Sequence, residues 1–189
     1  VGKVSKIYLE ESVSIRSNVV TYNLNDLKSR LQALITSNAN DTSFTTGIAA
    51  LSYVRGGNTK NLKYFLMALE YYYDWYSRGA TGTPECRNTT MVYSFGSTTI
   101  EHIYPYSAKA GEDDSQLEPL KNSIGNLTFM GPEANGEGEN KKFLDKIDIF
   151  KNSTVKMNVV IGDLPDWKLA EYSNRKTELD TMACKVFIP

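Results

Sequence analysis

Apolar side chains recur at helical spacing in three long stretches of the chain. The periodicity predicts helices from about Leu24 to Ile35, from Thr59 to Ser77 and from Asp166 to Ala183. Asn23 or Asn25 suits the N-cap of the first helix, because short polar side chains satisfy the free backbone N–H groups there. The inner face of the last helix is predicted to carry Trp167, Leu169 or Ala170, Ser173, Leu179 and Ala183.

The rest of the N-terminal half has weaker patterns. Residues 1–20 are predicted to be extended or connecting, since their valines and isoleucine favour strand. Residues 36–46 are polar and are predicted to form a loop. A short helix is expected over Gly47–Val54, ending at the glycine pair that follows.

The middle of the chain changes to β-branched and aromatic residues. Strands are predicted over Thr90–Phe95, Ser97–Ile103 and Ser123–Met130, followed by a loop over Gly131–Glu139 and a helix over residues 140–150. From the second strand onward, the order of strand, loop, strand, loop and helix is that of a ββα-metal nuclease core. The predicted fold class is α+β, mostly helical, with this core embedded among helices. We expect a helical lobe over residues 1–95 and the core with its closing helix over residues 96–189.

The helix predicted from Thr59, capped by that residue or by Asn58, carries an aromatic run over Tyr71–Tyr76. Aromatic planes can stack on nucleic-acid bases, so one interpretation is a base-binding surface. The alternative is a helix buried on two sides with its phenol groups reaching polar partners. The packing interpretation is favoured.

Composition limits the cellular setting. The net charge of −1 supplies no general affinity for nucleic acid, so any DNA contact must come from a local patch or another domain. Cys86 and Cys184 are far apart and no signal peptide is visible, which favours a reduced cytoplasmic setting. No apolar run approaches the ~20 residues of a membrane helix. Because the chain begins at Val1 without Met, we expect it to be a C-terminal fragment of a longer protein.

The single histidine of the chain, His102, follows Glu101 at a predicted strand end. A neutral imidazole can take a proton from water at pH 7, so His102 is a candidate general base. Glu101 is a hard oxygen ligand suited to Mg²⁺ or Mn²⁺. Neighbouring strand residues point to opposite faces, so both can serve one site only where the strand ends, and Pro105 is consistent with such an end.

Downstream polar residues complete this candidate site. Asn135 can supply an amide oxygen to the metal, because Mg²⁺ keeps several waters and needs few protein ligands. Asn126 can hydrogen-bond the backbone beside the histidine and fix the orientation of its ring. A cluster of lysines just past the site can bind phosphate oxygens, the alternative being an ordinary solvated face: Lys141, Lys142, Lys146 and Lys151.

At these residues the sequence resembles the HNH-type (His-Me finger) nuclease domain at the C-terminus of GmrSD-like modification-dependent restriction proteins. The resemblance extends over about residues 100–183 and covers the first 95 residues only loosely. The segments that carry the resemblance are Ile100-Glu101-His102-Ile103-Tyr104-Pro105, Ser123-Ile124-Gly125-Asn126-Leu127-Thr128-Phe129-Met130, Asn135, Asn140-Lys141-Lys142-Phe143, Lys146, and a final segment with Trp167, Arg175, Leu179 and Ala183.

The resemblance implies a metal-dependent DNA endonuclease with His102 as base, Asn126 as a second active-site residue, and Glu101 and Asn135 as ligands of one Mg²⁺ or Mn²⁺ ion. Asn140 recurs in the family pattern as a supporting residue. The family implies double-stranded phage DNA as substrate, in the bacterial cytoplasm. It also implies an N-terminal nucleotide-hydrolysing domain that senses a DNA modification such as phosphorothioation. A single site of this kind is expected to nick DNA.

One other class of function is compatible with the same residues, and two further classes are disfavoured. The near-neutral charge and the motif-poor first half are compatible with a non-catalytic regulatory or protein-interaction domain, in which the histidine belongs to a polar core network. A Ser-His hydrolase is disfavoured because no Gly-x-Ser-x-Gly elbow accompanies the histidine. A catalytic zinc site is disfavoured because one histidine and two distant cysteines cannot form its ligand shell.

Overall fold

The structure, a computed structural model, describes residues 2–17, 23–87, 95–111, 113–131 and 140–187. Its helices and strands in chain order are α1 (Lys3–Ser17), α2 (Leu24–Asn38), α3 (Asp41–Ala49), α4 (Lys60–Ser77), β1 (Thr99–His102), β2 (Leu127–Met130), α5 (Ile147–Lys151), α6 (Lys156–Gly162) and α7 (Leu169–Val186). Short 3₁₀ turns occupy Glu118–Leu120, Ile124–Asn126 and Phe143–Lys146. The fold is α+β and mostly helical, as predicted.

Close contacts divide the chain into two units, with the division between Thr46 and Gly47. The second unit contains α4, both strands and all later helices. Within it α4 packs against β1, β2, α6 and α7, so this helix of the predicted helical lobe lies against the predicted core. Within the described ranges, no helix has both the length and the apolar character that crossing a membrane requires.

In the first unit, α1 and α2 pack together. The extended segment predicted over residues 1–20 is wrong for its described part, which is helical from Lys3 to Ser17. Arg30 on α2 forms an ion pair with Glu11 on α1 at 2.6 Å. Val13 and Ile15 remain 56% and 51% exposed, so their weak preference for strand is outweighed by the pairing of the two helices.

The helix α3 also corrects the sequence interpretation. The loop predicted over residues 36–46 is wrong, because α2 continues to Asn38 and α3 begins at Asp41. The Asn40 side chain accepts a hydrogen bond from the Ser43 backbone N–H at 2.8 Å and so caps α3. The helix predicted over residues 47–54 lies too far downstream, since α3 ends at Ala49.

Two predicted helices, α2 and α4, begin as expected. The Asn23 side chain accepts a hydrogen bond from the Asn25 N–H at 3.0 Å. The Asn58 side chain accepts one from the Lys60 N–H at 2.9 Å. Both bonds satisfy backbone donors that a helix leaves free at its N-terminus.

The aromatic run on α4 packs into the second unit. Trp75 is 5% exposed, and its Nε1–H donates to the Thr81 carbonyl at 3.0 Å. Other residues on α4 that are buried in the core are Leu62, Phe65, Leu66, Met67 and Leu69. The run's four tyrosines are half-buried. The burial that the packing interpretation requires is therefore observed, whereas the polar partners of the phenol groups stay a prediction.

The two strands pair antiparallel, with Thr99 opposite Met130 and His102 opposite Leu127. Both strands are shorter than predicted. The second strand begins late because Ile124–Asn126 form a 3₁₀ turn. Residues 90–94 of the additional predicted strand lie outside the described residues.

Helix α7 confirms the predicted closing helix, and Trp167 just before it is buried as predicted, but one position of the predicted inner face is wrong. Leu179 and Ala183 are buried as predicted, whereas Ser173 is exposed and Tyr172 and Arg175 are buried in its place. The 3₁₀ turn before β2 approaches this helix closely. A Cβ atom on Gly125 would lie 2.6 Å from Cε2 of Tyr172, so only glycine fits there.

The region between β2 and α7 differs in detail from the prediction. The helix predicted over residues 140–150 starts late, because Asn140 has a φ of 55° and cannot begin a right-handed helix. The helix α6 was not predicted, because a loop was expected before Asp166 and the first turn of α6 is capped from a distance. The carboxylate of Glu70 on α4 accepts hydrogen bonds from the N–H groups of Lys156 at 2.8 Å and Met157 at 3.1 Å.

Candidate active site

A pocket of about 420 Å³ opens at the end of β1 in the second unit. Its walls come from β1 and the loop after it, from the segment between Tyr53 and Lys63, and from Asn140 and Lys146 farther along the chain. Residues far apart in the sequence therefore share one cavity.

Glu101 and His102 both line this pocket, although they are neighbours on a strand. The N–H of Ile103 still donates to the carbonyl of Asn126 at 2.9 Å, which continues the antiparallel pairing by one residue. The strand itself ends at His102, and the chain bends at Ile103 and Tyr104. The structure thus brings together the carboxylate and the imidazole that the sequence placed at one site.

The His102 ring is held by three neighbours. Its Nε2 atom lies 3.1 Å from Oδ1 of Asn122. Tyr53 meets the ring edge-on at a centroid distance of 4.7 Å, and Tyr106 does so at 5.4 Å. With Nε2 donating to the Asn122 oxygen, Nδ1 carries the lone pair that can accept a proton.

The environment of His102 keeps its imidazole neutral. Burial lowers the pKa of His102 to about 4, against a smaller raising effect of the Asn122 hydrogen bond. The nearby ammonium groups of Lys146 and Lys121 lower this pKa further. At pH 7 the ring is therefore uncharged, which is the protonation state that a general base requires.

To bind phosphate, the Lys146 side chain would have to lie at the surface, but it lies in the interior. Its Nζ lies 3.2 Å from Oε1 of Glu101, and it also donates to the His102 carbonyl. Burial lowers the pKa of Lys146, while the charge of Glu101 raises it. The ammonium thus holds the Glu101 side chain and the end of β1. Lys141 and Lys142 are exposed and do not line the pocket.

The side chain of Asn126 fixes the backbone of the site rather than the ring. Its Oδ1 accepts hydrogen bonds from the Tyr104 N–H at 2.8 Å and from Nε1 of Trp167 at 3.0 Å. Its Nδ2 donates to the carbonyls of Tyr104 and Lys121 at 2.9 and 2.8 Å. The ring partner of His102 is therefore Asn122, which the sequence interpretation did not include.

Asn140 and Asn135 are the two remaining asparagines of the predicted site. Asn140 lines the pocket, and its Oδ1 accepts a hydrogen bond from the Ser107 N–H at 3.1 Å. Its left-handed backbone conformation, which asparagine tolerates better than most residues, turns the chain toward this loop. Asn135 lies outside the described residues, so its role as a ligand stays a prediction.

The donors around the pocket fit one hydrated divalent cation. Among the described residues there is no group of three histidine, cysteine or acidic side chains that could enclose a metal ion. Glu101 supplies one carboxylate, the neutral imidazole of His102 lines the same pocket, and so does Asn140, whose amide oxygen also accepts from the Ser107 N–H. Mg²⁺ tolerates such a sparse protein shell because it retains several waters. The ammonium of Lys146 offsets part of the carboxylate charge.

Residues 39–182 match the family described as GmrSD restriction endonucleases, C-terminal domain. The match covers most of the chain, and the chain belongs to this family. It is therefore a domain of the restriction-endonuclease type, with DNA as the substrate class. No curated protein matches the chain.

Proposed function

We propose that this domain is a metal-dependent DNA endonuclease in which His102 is the general base. The observation that carries the proposal is the shared pocket of His102 and Glu101 at the end of β1. A neutral imidazole beside a carboxylate is the pair that metal-assisted hydrolysis of a phosphodiester requires.

In the proposed reaction, Nδ1 of His102 takes a proton from the attacking water, and Asn122 holds the opposite side of the ring through Nε2. With a pKa of about 4, His102 in the enzyme without substrate has little driving force to take a proton from water. The approach of a phosphate raises this pKa, because its negative charge stabilises the imidazolium. Substrate binding therefore makes His102 a stronger base.

Glu101 would hold the divalent ion in this proposal, with Asn135 as the second protein ligand. The ion would supply Lewis-acid stabilisation of charge on the scissile phosphate and the leaving oxygen. Asn126 serves the site by fixing the loop after β1, since its side chain is bonded on both sides to Tyr104.

A supercoiled-plasmid assay tests this function. Wild type is expected to produce nicked circles in Mg²⁺ or Mn²⁺ and none in EDTA, because a single site cuts one strand per visit. His102→Ala is expected to abolish cleavage while the circular dichroism spectrum remains that of wild type. Lys185→Gln, a surface change on α7, serves as the control and should cleave normally. Full cleavage by His102→Ala would refute the proposal.

The biological setting belongs to the same proposal. We expect the domain to act on phage DNA in the bacterial cytoplasm, behind an N-terminal nucleotide-hydrolysing domain that senses a DNA modification such as phosphorothioation. Family membership and the resemblance of the site residues support this setting.

A non-catalytic interaction domain is the second candidate. The observation that favours it is the position of His102, which is 8% exposed and packed against Tyr53 and Tyr106. This candidate predicts no nicking and no thermal shift with Mn²⁺. A shift that disappears in Glu101→Gln, together with nicking by wild type, excludes it.

A further inference from the structure

We propose that Arg55 and Lys63 form a subsite that binds the DNA phosphates next to the scissile phosphodiester. The inference rests on the proposed function and extends it to a segment outside the strand-strand-helix region. Both side chains line the same pocket as His102 and Glu101.

The charge of this wall is the first support. In the described parts of the chain, no carboxylate lies within ion-pair distance of Arg55 or Lys63, whereas Lys146 on the same pocket is paired with Glu101. Lys63 donates to the carbonyl of Phe95 at 3.3 Å, and its Nζ lies 5.6 Å from the centroid of the Phe95 ring, but neither group carries a negative charge that would neutralise the ammonium. In a chain with a net charge of −1, this pocket therefore has a local excess of positive charge. A cleft lined by one sign of charge concentrates ligands of the opposite sign.

The backbone that carries these cations is fixed against the catalytic region. Ser52 bridges to Ser123, and the N–H of Tyr53 donates to the carbonyl of Asn122 at 2.8 Å. Asn122 is the same residue whose side chain meets the His102 ring. The segment that carries Arg55 and the proposed base, His102, are thus connected through Asn122.

A tight turn then leads from this anchor to α4. The N–H of Gly57 donates to the carbonyl of Val54 at 2.9 Å, and Gly56 has a φ of 73°. Beyond the turn, Thr59 lines the pocket at the start of α4, where the helix dipole adds positive potential.

The guanidinium of Arg55 lies over an aromatic ring. Its Cζ atom is 5.8 Å from the centroid of the Tyr106 ring, which also contacts His102 edge-on. At this distance the ring quadrupole attracts the cation, and a guanidinium can bind phosphate through two N–H groups at once. Lys63 contributes a point charge on the same wall.

DNA binding in the absence of divalent metal tests the subsite. A short fluorescein-labelled duplex is titrated in EDTA, across roughly 50–200 mM KCl, with wild type, Arg55→Gln, Lys63→Gln and the double variant. Each single variant is expected to weaken binding about tenfold at the lower salt and to reduce the salt slope by about 1. Lys60→Gln is the matched control, because Lys60 is exposed one turn away and does not line the pocket.

The plasmid assay separates this inference from the proposed function. Over plasmid concentrations that span KM, the double variant should show a raised KM, with the loss lying mainly in KM rather than in kcat. Unaltered affinity and salt slope in a protein that still nicks DNA would overturn the subsite and leave the nuclease intact. Equal weakening by Lys60→Gln, or no binding by wild type, would also overturn it. Loss of binding specific to Arg55→Gln and Lys63→Gln supports the subsite even if wild type cleaves nothing.

Discussion

The Nε2 atom of His102 lies 3.1 Å from Oδ1 of Asn122, and the backbone carbonyl of Asn122 accepts the N–H of Tyr53 at 2.8 Å. One asparagine thus fixes both the tautomer of the imidazole and the position of an aromatic ring against it. Since an amide oxygen can only accept, Nε2 is the protonated nitrogen and Nδ1 is the basic one.

Replacing Asn122 should reduce the rate of cleavage without reducing DNA binding. Asn122→Ala is expected to lower kcat by about 10–100-fold, because the ring loses its orientation and its preferred tautomer. KM for plasmid DNA should stay near the wild-type value.

Asn122→Asp provides the complementary measurement. The new carboxylate should raise the pKa of His102, so the acid limb of the pH profile for kcat/KM should move to higher pH. Unchanged kcat in Asn122→Ala, or an unmoved acid limb in Asn122→Asp, would contradict the positioning role.

The buried neutral state of His102 predicts a specific dependence of stability on pH. The pKa of His102 is about 4 in the folded protein, against about 6.5 for an unperturbed histidine, so between these pH values the unfolded state binds more protons. The free energy of unfolding therefore decreases as the pH falls from 6.5 toward 4.

His102→Phe removes this dependence. The stability of wild type minus that of His102→Phe, measured by urea unfolding in EDTA, should decrease by about 2.5 kcal/mol between pH 7 and pH 4.5. The carboxyl groups titrate in both proteins and cancel in the difference. Parallel pH curves for the two proteins would show that His102 is not buried as described.

The side chain of Asn126 makes four hydrogen bonds, so replacing it should lower the free energy of unfolding whatever its effect on catalysis. Asn126→Ala leaves the Tyr104 N–H and Nε1 of Trp167 without their acceptor in a buried region. The expected loss is about 3 kcal/mol in the free energy of unfolding, because each buried unpaired donor costs about 1–3 kcal/mol.

Asn174→Ala, an exposed change on α7, is the control for Asn126→Ala and should stay within about 0.5 kcal/mol of wild type. Urea unfolding followed by tryptophan emission measures both variants. An Asn126→Ala protein with wild-type stability and no activity would instead assign Asn126 a direct role in the chemistry.

The sequence could predict the parts of this site whose information is local. Glu101, His102 and the strand end lie within a few residues, and β2 follows close enough in the chain for its pairing to be expected. Asn122 and Arg55 gave no such signal. Asn122 contacts the His102 ring and Arg55 lines the pocket, and the segments that carry them are joined by the bridge between Ser52 and Ser123, which no local spacing reveals.

The errors in the helices have the same origin. The cap of α6 comes from Glu70, 86 residues upstream of Lys156. The helix α1 is held by Arg30 of α2, which outweighs the strand preference of its valines. By contrast α2 and α4, whose caps lie in the adjacent sequence, begin as predicted. A local cap was not sufficient by itself, because α3 is capped by the adjacent Asn40 and its polar sequence was nevertheless predicted to be a loop.

The ion pair between Lys146 and Glu101 predicts an asymmetry between its two partners. The ammonium side chain is 1% exposed and the carboxylate side chain is 17% exposed. Glu101→Gln leaves a buried cation without its counter-charge, whereas Lys146→Met replaces that cation with an apolar side chain of similar length.

Glu101→Gln should therefore cost about 3–5 kcal/mol of the free energy of unfolding, and Lys146→Met clearly less. The double variant should recover most of the loss, since it contains no unpaired charge. Urea unfolding of the three variants at pH 7 in EDTA measures this order. Equal costs for the two single variants would show that the ammonium is hydrated rather than paired.

The same variants measure how the ion pair competes with a metal. Removing the ammonium in Lys146→Met releases the full negative charge of Glu101, so the upward shift in melting temperature caused by Mn²⁺ should be larger than in wild type. In Glu101→Gln that shift should disappear, because the proposed carboxylate ligand is gone. A shift that survives Glu101→Gln would place the cation on other residues. A smaller shift in Lys146→Met would mean that the lysine orders the ligand more than it opposes the metal charge.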